Sequence, residues 1–314
     1  MTATMRAVGQ DVLGGPEVLH EVELERPVPG PSQVLVAVHA AGLNPTDWKH
    51  RTRRGFLPDP PFVLGYDVSG VVEAVGFGVT LFQPGDEVFG MLPYPNGVGS
   101  HAEYVTGPAR AFAAKPRTLT HVEAGALPLA GLTAWQALVD TADVRPGQRV
   151  LIHAAAGGVG HLAVQIAKAR GAHVIGTASA ANHDFVRGLG ADEVVDYHTT
   201  DVAETVRDVD VVVDPLGGES LLRSLVSLRR GGILVSLLGG GPELAEQAAA
   251  KGVRAAAMLV EADHAGMVAI ADLVEAGKLR PTIAGTFPLA EAAKAHALGE
   301  AGHTAGKLVL VVRS

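Results

Sequence analysis

Residues 149–170, RVLIHAAAGGVGHLAVQIAKAR, constrain the fold of this chain more than any other stretch. Val150, Leu151 and Ile152 make a short apolar run rich in β-branched side chains. A string of small residues (154–160) follows. Then Leu162, Ala163, Ile166, Ala167 and Ala169 fall at helical spacing, with Lys168 and Arg170 near the end. A strand, a tight glycine turn and a helix, in that order, suit a dinucleotide, because the helix amides and dipole face its pyrophosphate. The spacing Ala154, Gly157, Gly160 is a variant of G-x-G-x-x-G with alanine first. Gly157 would let backbone approach phosphate, and Gly160 would let the helix pack close to the strand. Any tight strand-to-helix turn favours glycine, so the flanking strand and helix carry this reading.

The choice of dinucleotide is decided about twenty residues on, where NAD-binding folds place an acid for the ribose 2′-hydroxyl. The second strand is HVIGTASA (173–180), and the position in question is Thr177, flanked by Gly176, Ala178 and Ser179. No carboxylate stands there, and Asp184 lies too far along. Hydroxyls at Thr177 and Ser179 would tolerate a 2′-phosphate that an acid would repel, so NADPH is expected over NADH. The alternative is that these are merely small residues at a strand end.

The formal net charge of −8, with no basic run, argues against a nucleic-acid surface. The absence of cysteine removes disulfides and every thiolate metal site. The N-terminal MTATMRAV lacks the apolar core of a signal peptide, and no apolar run approaches membrane-spanning length. A soluble, cytoplasmic protein is expected, and 314 residues leave room for two domains.

Residues 5–40 alternate like half-buried strands joined by proline-rich turns, with Val34, Val36 and Val38 on one face. NPTDWKHRTRRG (44–55) is a polar loop or a short helix. Residues 61–90 read as strands broken by glycines, which suits a small closed barrel. From about Thr120 the pattern changes. Residues 121–143 are helical in composition, interrupted around Pro128 and Gly131. Beyond the glycine turn, NHDFVRGLGA is a helix, while EVVDY, DVDVVVDPLGG and GGILVSLLGGG are strands ending in turns. Strands alternating with helices imply a parallel, doubly wound sheet. One further helix and a closing strand, KLVLVV, end the pattern.

Taken together, NPTDWK (44–49), PFVLGYDVSGVVEAVG (61–76), GDEVFG (85–90), LPLAGLTAWQAL (127–138), AAAGGVGHLAVQIAK (154–168), LGADEVVDY (189–197), VVDPLGG (212–218) and GKLVL (306–310) form a specific signature. The chain resembles the zinc-independent medium-chain dehydrogenases/reductases, in their quinone oxidoreductase and enoyl reductase branch. The resemblance implies an α/β fold in which a Rossmann doubly wound parallel sheet is inserted in a GroES-like β-barrel catalytic domain. Residues 1–124 with 280–314 would form the GroES-like domain, and residues 125–279 the dinucleotide-binding domain. The terminal strand would then return to the first domain.

Zinc-dependent relatives hold their catalytic metal with a cysteine, the histidine of a Gly-His-Glu motif and a further cysteine. The matching positions here are Asn44, Tyr66 and the neighbourhood of Ala130, so no metal is expected. Without a Lewis acid to polarise an alkoxide, the natural chemistry is hydride transfer from NADPH to an acceptor that is already electrophilic. A quinone or an α,β-unsaturated carbonyl fits.

By the same resemblance, Asn44 and Thr46 approach the nicotinamide, Asp47 braces their loop or caps a helix, and Tyr66 offers a hydrogen bond to a substrate carbonyl or packs apolarly. Thr133 lies near the nicotinamide, and Ala156, Gly157, Gly158, Val159 and Gly160 hold the pyrophosphate. Thr177, Ser179 and Tyr197 surround the adenosine ribose and 2′-phosphate. Leu237, Leu238 and Gly239 pass the nicotinamide amide, and Lys307 is a basic residue near the cofactor. One departure is that the segment after the second strand, Ser179 to His183, carries no fixed cation, and Arg187 lies a helical turn further on. Two histidines draw notice: His101, which could line the substrate site, and His153, expected as a buried neighbour of the cofactor turn. The expected partners are a small quinone or enone and a second copy in a homodimer, with neither nucleic acid nor membrane. Alternatives are an enoyl reductase acting on a carrier-bound or CoA-linked acyl chain, with Arg51, Arg53 and Arg54 as a basic groove, and an NADPH-binding protein with a structural or regulatory role.

Overall fold

The computed structural model describes residues 3–302 and 304–313. The chain divides into two compact units, Met1–Leu132 with Glu261–Ser314, and Thr133–Val260.

Eight strands open the first unit: β1 (Thr4–Gln10), β2 (His20–Glu25), β3 (Gln33–Gly42), β4 (Phe62–Val63), β5 (Asp67–Val75), β6 (Glu87–Met91), β7 (Tyr104–Pro108) and β8 (Phe112–Ala114). β1 sits between β2 and β4 in a small antiparallel sheet. The larger sheet is organised around β3, which pairs antiparallel with both β5 and β7. β6 extends it from β5, and β8 from β6. Val34, Val36 and Val38 do share one buried face, but Leu35 and Ala37 on the other face are buried as well. β3 is therefore a central strand covered on both sides, not a half-buried one.

The stretch after β3 resolves to a helix, Pro45–Thr52. Proline suits its first turn because the missing N–H would have had no helical partner. The carboxylate of Asp47 accepts the amide of Asn44 at 2.7 Å, closing the helix entrance. A second helix, His121–Gly125, ends before Pro128, and a third runs Pro128–Trp135 and continues as a π-type stretch to Thr141. Gly131 does not interrupt it as expected; the helix passes straight through.

In the second unit the strands are β9 (Arg149–Ile152), β10 (His173–Ala178), β11 (Glu193–Asp196), β12 (Val209–Asp214), β13 (Leu228–Ser236) and β14 (Arg254–Ala257). They lie in the order β11-β10-β9-β12-β13-β14, all parallel. Leu151, Ile175, Val212 and Leu234 stand in register on four adjacent strands, each fully buried. Each such side chain contributes roughly 1.5–3 kcal/mol of burial. The chain steps outward through β10 and β11 and then returns to the other side of β9 at β12. The order reverses between β9 and β12, and sheets of this kind bind ligands at the carboxyl ends of the strands beside such a reversal.

The last two strands, β15 (Ile283–Pro288) and β16 (Lys307–Val311), belong to the first unit. β16 is parallel to β15 and antiparallel to the end of β3, with Val309 opposite Gly42. The return to the first unit comes at residue 261, earlier than the expected 280, and the first crossing at 132 instead of 124. The reason is the helix His264–Glu275, whose first residue is anchored to the first unit, with His264 Nδ1 2.6 Å from the carbonyl of Phe112.

Candidate functional site

The glycine turn lies at the end of β9, and the helix Gly160–Ala169 starts from it. A Cβ on Gly160 would stand 2.2 Å from the carbonyl oxygen of Ala154 and 2.8 Å from the Cα of Ala155, so only glycine closes this turn. Gly157 donates its amide to the Ala154 carbonyl at 2.9 Å, and Ala154 itself takes the left-handed conformation, φ +48°. Ala156, Gly157, Gly158, Val159 and Gly160 thus form a compact turn at a helix N-terminus. A pyrophosphate fits that setting by the chemistry of amides and dipole.

Behind the turn is a buried polar chain that sequence reasoning found only in part. His153 is buried as expected, with Nδ1 3.3 Å from the Thr177 hydroxyl and Nε2 2.9 Å from the Ser224 hydroxyl. Burial holds its pKa below the usual imidazole value, although the nearby Asp214 pulls the other way. Asp214, at the end of β12, accepts the amides of Leu216 and Gly217 and the hydroxyl of Ser220. Ser224 lies 3.4 Å from the same carboxylate oxygen that accepts Ser220.

Thr177 requires a correction. It is only 2% exposed, and its hydroxyl accepts the amide of Ala154 at 3.1 Å. It braces the glycine turn from within instead of facing a 2′-phosphate. Ser179 is half-buried and accepts the Asn182 side chain at 3.2 Å, while Tyr197 is 50% exposed and packs at a tilt against His198. After β13, the Leu237 amide is spent on the Asp214 carbonyl at 3.0 Å. Leu238 is exposed, and Gly239 (φ +86°) has open space where a side chain would be. Thr133 is buried in its helix.

The first unit brings Asn44, Thr46, Asp47, Tyr66 and Lys307 together. Lys307, at the start of β16, is 3% exposed. Its ammonium donates to the Leu43 carbonyl at 2.8 Å, to the Asn44 side-chain oxygen at very short range, and to Asp67 at 3.4 Å. Asp67 also accepts the Asn44 side-chain nitrogen at 2.9 Å and the Leu129 amide at 2.6 Å. Burial still raises its pKa above the ordinary carboxylate value, against the pull of Lys307. The role expected for Lys307 beside the cofactor is therefore replaced: its donors are committed to Leu43, Asn44 and Asp67, and it fixes the Asn44 side chain. Asp67 went unnoticed in the sequence, although it stands next to Tyr66.

Asp47 is fully buried, and burial pushes its pKa up to about 7 despite the hydrogen bond from the Asn44 amide. It caps the helix, the simpler of its two expected roles. Tyr66 is also corrected. Its hydroxyl donates to the Pro95 carbonyl at 2.9 Å and lies 3.2 Å from His50 Nδ1, with no surface exposure. Burial, and next the charge of Asp47, hold its proton on firmly. His50 and Tyr94 complete a ring cluster with Tyr66 and Phe56, the Tyr66 and Tyr94 ring centres being 5.1 Å apart. Thr46 bridges His50 Nδ1 and the Tyr94 hydroxyl, 3.4 Å from each.

Two further expectations change. Arg51 is fully buried, bonded to the Gly14 carbonyl, His296 and Glu300, so it forms no basic groove. His101 is sealed in the core, where burial lowers its pKa to about 3, and it packs edge-on against His296. Among the described residues no three histidines or acids are grouped to hold a metal, and no helix is long and apolar enough to cross a membrane.

Residues 30–117 match the alcohol dehydrogenase GroES-like domain and residues 189–310 the zinc-binding dehydrogenase domain. The 2-haloacrylate reductase of a Burkholderia species is 36% identical over 95% of this chain and 96% of its own length. A solved quinone oxidoreductase from Coxiella burnetii is 40% identical, with a TM-score of 0.93 over 99% of this chain and 100% of the other. The quinone oxidoreductase of Escherichia coli, solved in complex with NADPH, is 29% identical, with a TM-score of 0.88 over 98% of this chain and 100% of the other.

Proposed function

The chain belongs to the zinc-independent quinone oxidoreductase branch of the medium-chain dehydrogenases/reductases, and on that premise we propose that it is an NADPH-dependent reductase of quinones and α,β-unsaturated carbonyls that works without a metal. The observation that carries this reading is the cluster Asn44, Asp67 and Lys307. Where zinc-dependent relatives have a cysteine, Asn44 is tied by both side-chain atoms, one of them to a buried ammonium. The same ammonium neutralises Asp67, so a divalent cation there would meet a fixed positive charge instead of an anionic donor set. An acceptor whose conjugated carbonyl spreads negative charge needs no such ion. The Burkholderia and Coxiella proteins, by their names, reduce an activated alkene and a quinone.

The cofactor, when bound, supplies the hydride. The turn Ala156 to Gly160 and its helix would hold the pyrophosphate, and Thr133, Leu238 and Gly239 of the same unit would meet the nicotinamide. With Thr177 withdrawn into the turn, preference for NADPH would rest on Ser179 and Tyr197 and on the lack of an acid after β10. That suits preference, not exclusion of NADH. β14 is the edge strand of its sheet, with Arg254 and Ala257 exposed, which supports a homodimer paired through that edge. The carrier-linked alternative loses support, because Arg51 is buried and Arg54 is paired with Asp59.

The test is oxidation of NADPH and NADH, followed by their near-ultraviolet absorbance, with a quinone, a short enone and a simple aldehyde under chelator. Chelator-resistant oxidation with quinone or enone, faster from NADPH, is expected. Activity restricted to the aldehyde, or abolished by chelator, would overturn the proposal.

A further inference from the structure

The hydroxyl of Ser224 lies between the Asp214 carboxylate and the ring of His153, 3.4 Å from Oδ2 and 2.9 Å from Nε2. A carboxylate only accepts, so Ser224 gives its single proton to Asp214, and its oxygen is left to accept from the ring. Nε2 therefore carries the hydrogen. The ring is neutral, because burial holds its pKa below the usual imidazole value, so Nδ1 carries the lone pair. That lone pair meets the Thr177 hydroxyl at 3.3 Å, and the Thr177 oxygen accepts the amide of Ala154 at 3.1 Å. Every donor on the line from Ala154 to Asp214 thus points the same way, and all four side chains between them are buried. One end of the line is a charge. The other is a residue strained into the left-handed conformation, φ +48°. Thr177 holds the next residue too, since its carbonyl accepts the Ala155 amide at 2.9 Å.

We infer that Asp214, Ser224 and His153 are positioning residues for the dinucleotide: the charge of Asp214 sets the tautomer of His153, and through Thr177 that tautomer holds Ala154 in the turn that meets the pyrophosphate. The inference rests on the cofactor reading above. The line joins residues at the ends of β9, β10 and β12, so the loops on both sides of the reversal in strand order share one arrangement of protons. The other Asp214 oxygen is already taken by the amides of Leu216 and Gly217. Asp214→Asn must therefore keep its carbonyl toward those amides and turn its NH2 group toward Ser220 and Ser224. Ser224 would then accept from the new amide and donate to Nε2, and the ring hydrogen would move to Nδ1. Two N–H groups would point at the Thr177 oxygen, whose own proton would lose its acceptor. One isosteric change is thus expected to reverse the whole line.

Nitrogen-15 NMR of the histidine rings reads this in the protein alone, with the His153 signals identified by their absence from His153→Phe. Nε2–H is expected in the wild type and Nδ1–H in Asp214→Asn. A wild type dominated by Nδ1–H, or an Asp214→Asn ring that keeps Nε2–H, would overturn the inference. Ser224→Ala, a milder change, should shift the Nε2 resonance, and an unmoved resonance would overturn it as well. Fluorescence titration with NADPH and NADH reads the consequence. Asp214→Asn and Ser224→Ala should each weaken both cofactors by about fivefold, the worth of one buried hydrogen bond. In a Thr177→Val background Asp214→Asn should cost no further affinity, because the line is already cut there. Unchanged affinity in both single variants, or a multiplicative loss in the double variant, would overturn the positioning role. A wild type that binds neither dinucleotide would remove the cofactor reading and the positioning role with it, while the tautomers would still decide whether the line exists.

Discussion

Replacing Lys307 with methionine keeps the buried stem and removes the ammonium. Asp67 would retain Asn44 and the Leu129 amide but lose its only counter-charge in the cluster, and Leu43 and Asn44 would lose a donor. At the observed 3.4 Å between Lys307 and Asp67, an effective dielectric of about 20 gives roughly 5 kcal/mol of attraction. Removing one partner of a buried pair typically costs about 3–5 kcal/mol, which agrees. The loss should depend on pH. Burial already raises the Asp67 pKa, and without Lys307 the carboxyl would rise further and stay protonated in the folded state at low pH. The variant should therefore be destabilised less at pH 5 than at pH 8. The two units can unfold separately, so the assay should follow Trp48 of the first unit in a Trp135→Phe background, by urea titration. Asp67→Asn added to Lys307→Met removes the orphaned charge and should recover most of the loss at pH 8. A loss below about 1 kcal/mol at pH 8, or a double variant as unstable as the single, would refute the assignment of a buried ion pair.

Gly160→Ala places a methyl 2.2 Å from a backbone oxygen, so dinucleotide binding by fluorescence titration should be lost and the second unit destabilised. Thr177→Val leaves the Ala154 amide without its buried acceptor, at about 1–3 kcal/mol. Its affinity for NADPH and NADH should fall by the same factor, whereas a selective loss of NADPH would return Thr177 to the 2′-phosphate. Asp47, with a pKa raised from 3.8 to about 7, favours the protonated folded state. Its contribution is present below the unfolded value and is lost as pH rises through about 7. Wild-type stability should therefore decline over that window relative to Asp47→Asn, which keeps an acceptor for the Asn44 amide; parallel denaturation curves at both ends would contradict this.

Strand and helix identities were legible wherever periodicity and turn chemistry agreed. The stretch 149–170 shows this, since its glycines, β-branched run and helical spacing all point to one unit. Gly131 misled because an isolated glycine weakens a helix only slightly when tertiary packing holds it. The second domain boundary was invisible because no composition shift marks it; contacts distant in sequence, such as His264 with the Phe112 carbonyl and Glu275 with the Arg117 amide, hold that helix to the first unit. The same limit applies to the site. Asn44 and Lys307 lie far apart in sequence, and nothing local says that their side chains meet. Thr177 sits at the expected spacing, but a hydroxyl can turn toward the protein as easily as toward a ligand. His50 carries a local signal, standing one helical turn after Thr46. Tyr94, in an irregular proline-bearing loop, carries none.

The pairing of β16 with β3 sets an order of events during synthesis. β3 emerges from the ribosome early, and its neighbour is made only after residues 133–260 have been added. The intervening unit contains all the strands of its own sheet, so it can fold while the first unit still waits. Until residue 307 arrives, Asp67 has no cation beside it, and the end of β3 is a bare edge. Nascent chains stalled before that point should expose this edge to chaperones or to one another. The loop closed by this pairing is among the longest the chain makes, which favours a slow final step in refolding. The residue that completes the polar cluster is thus translated only after the whole of the intervening unit.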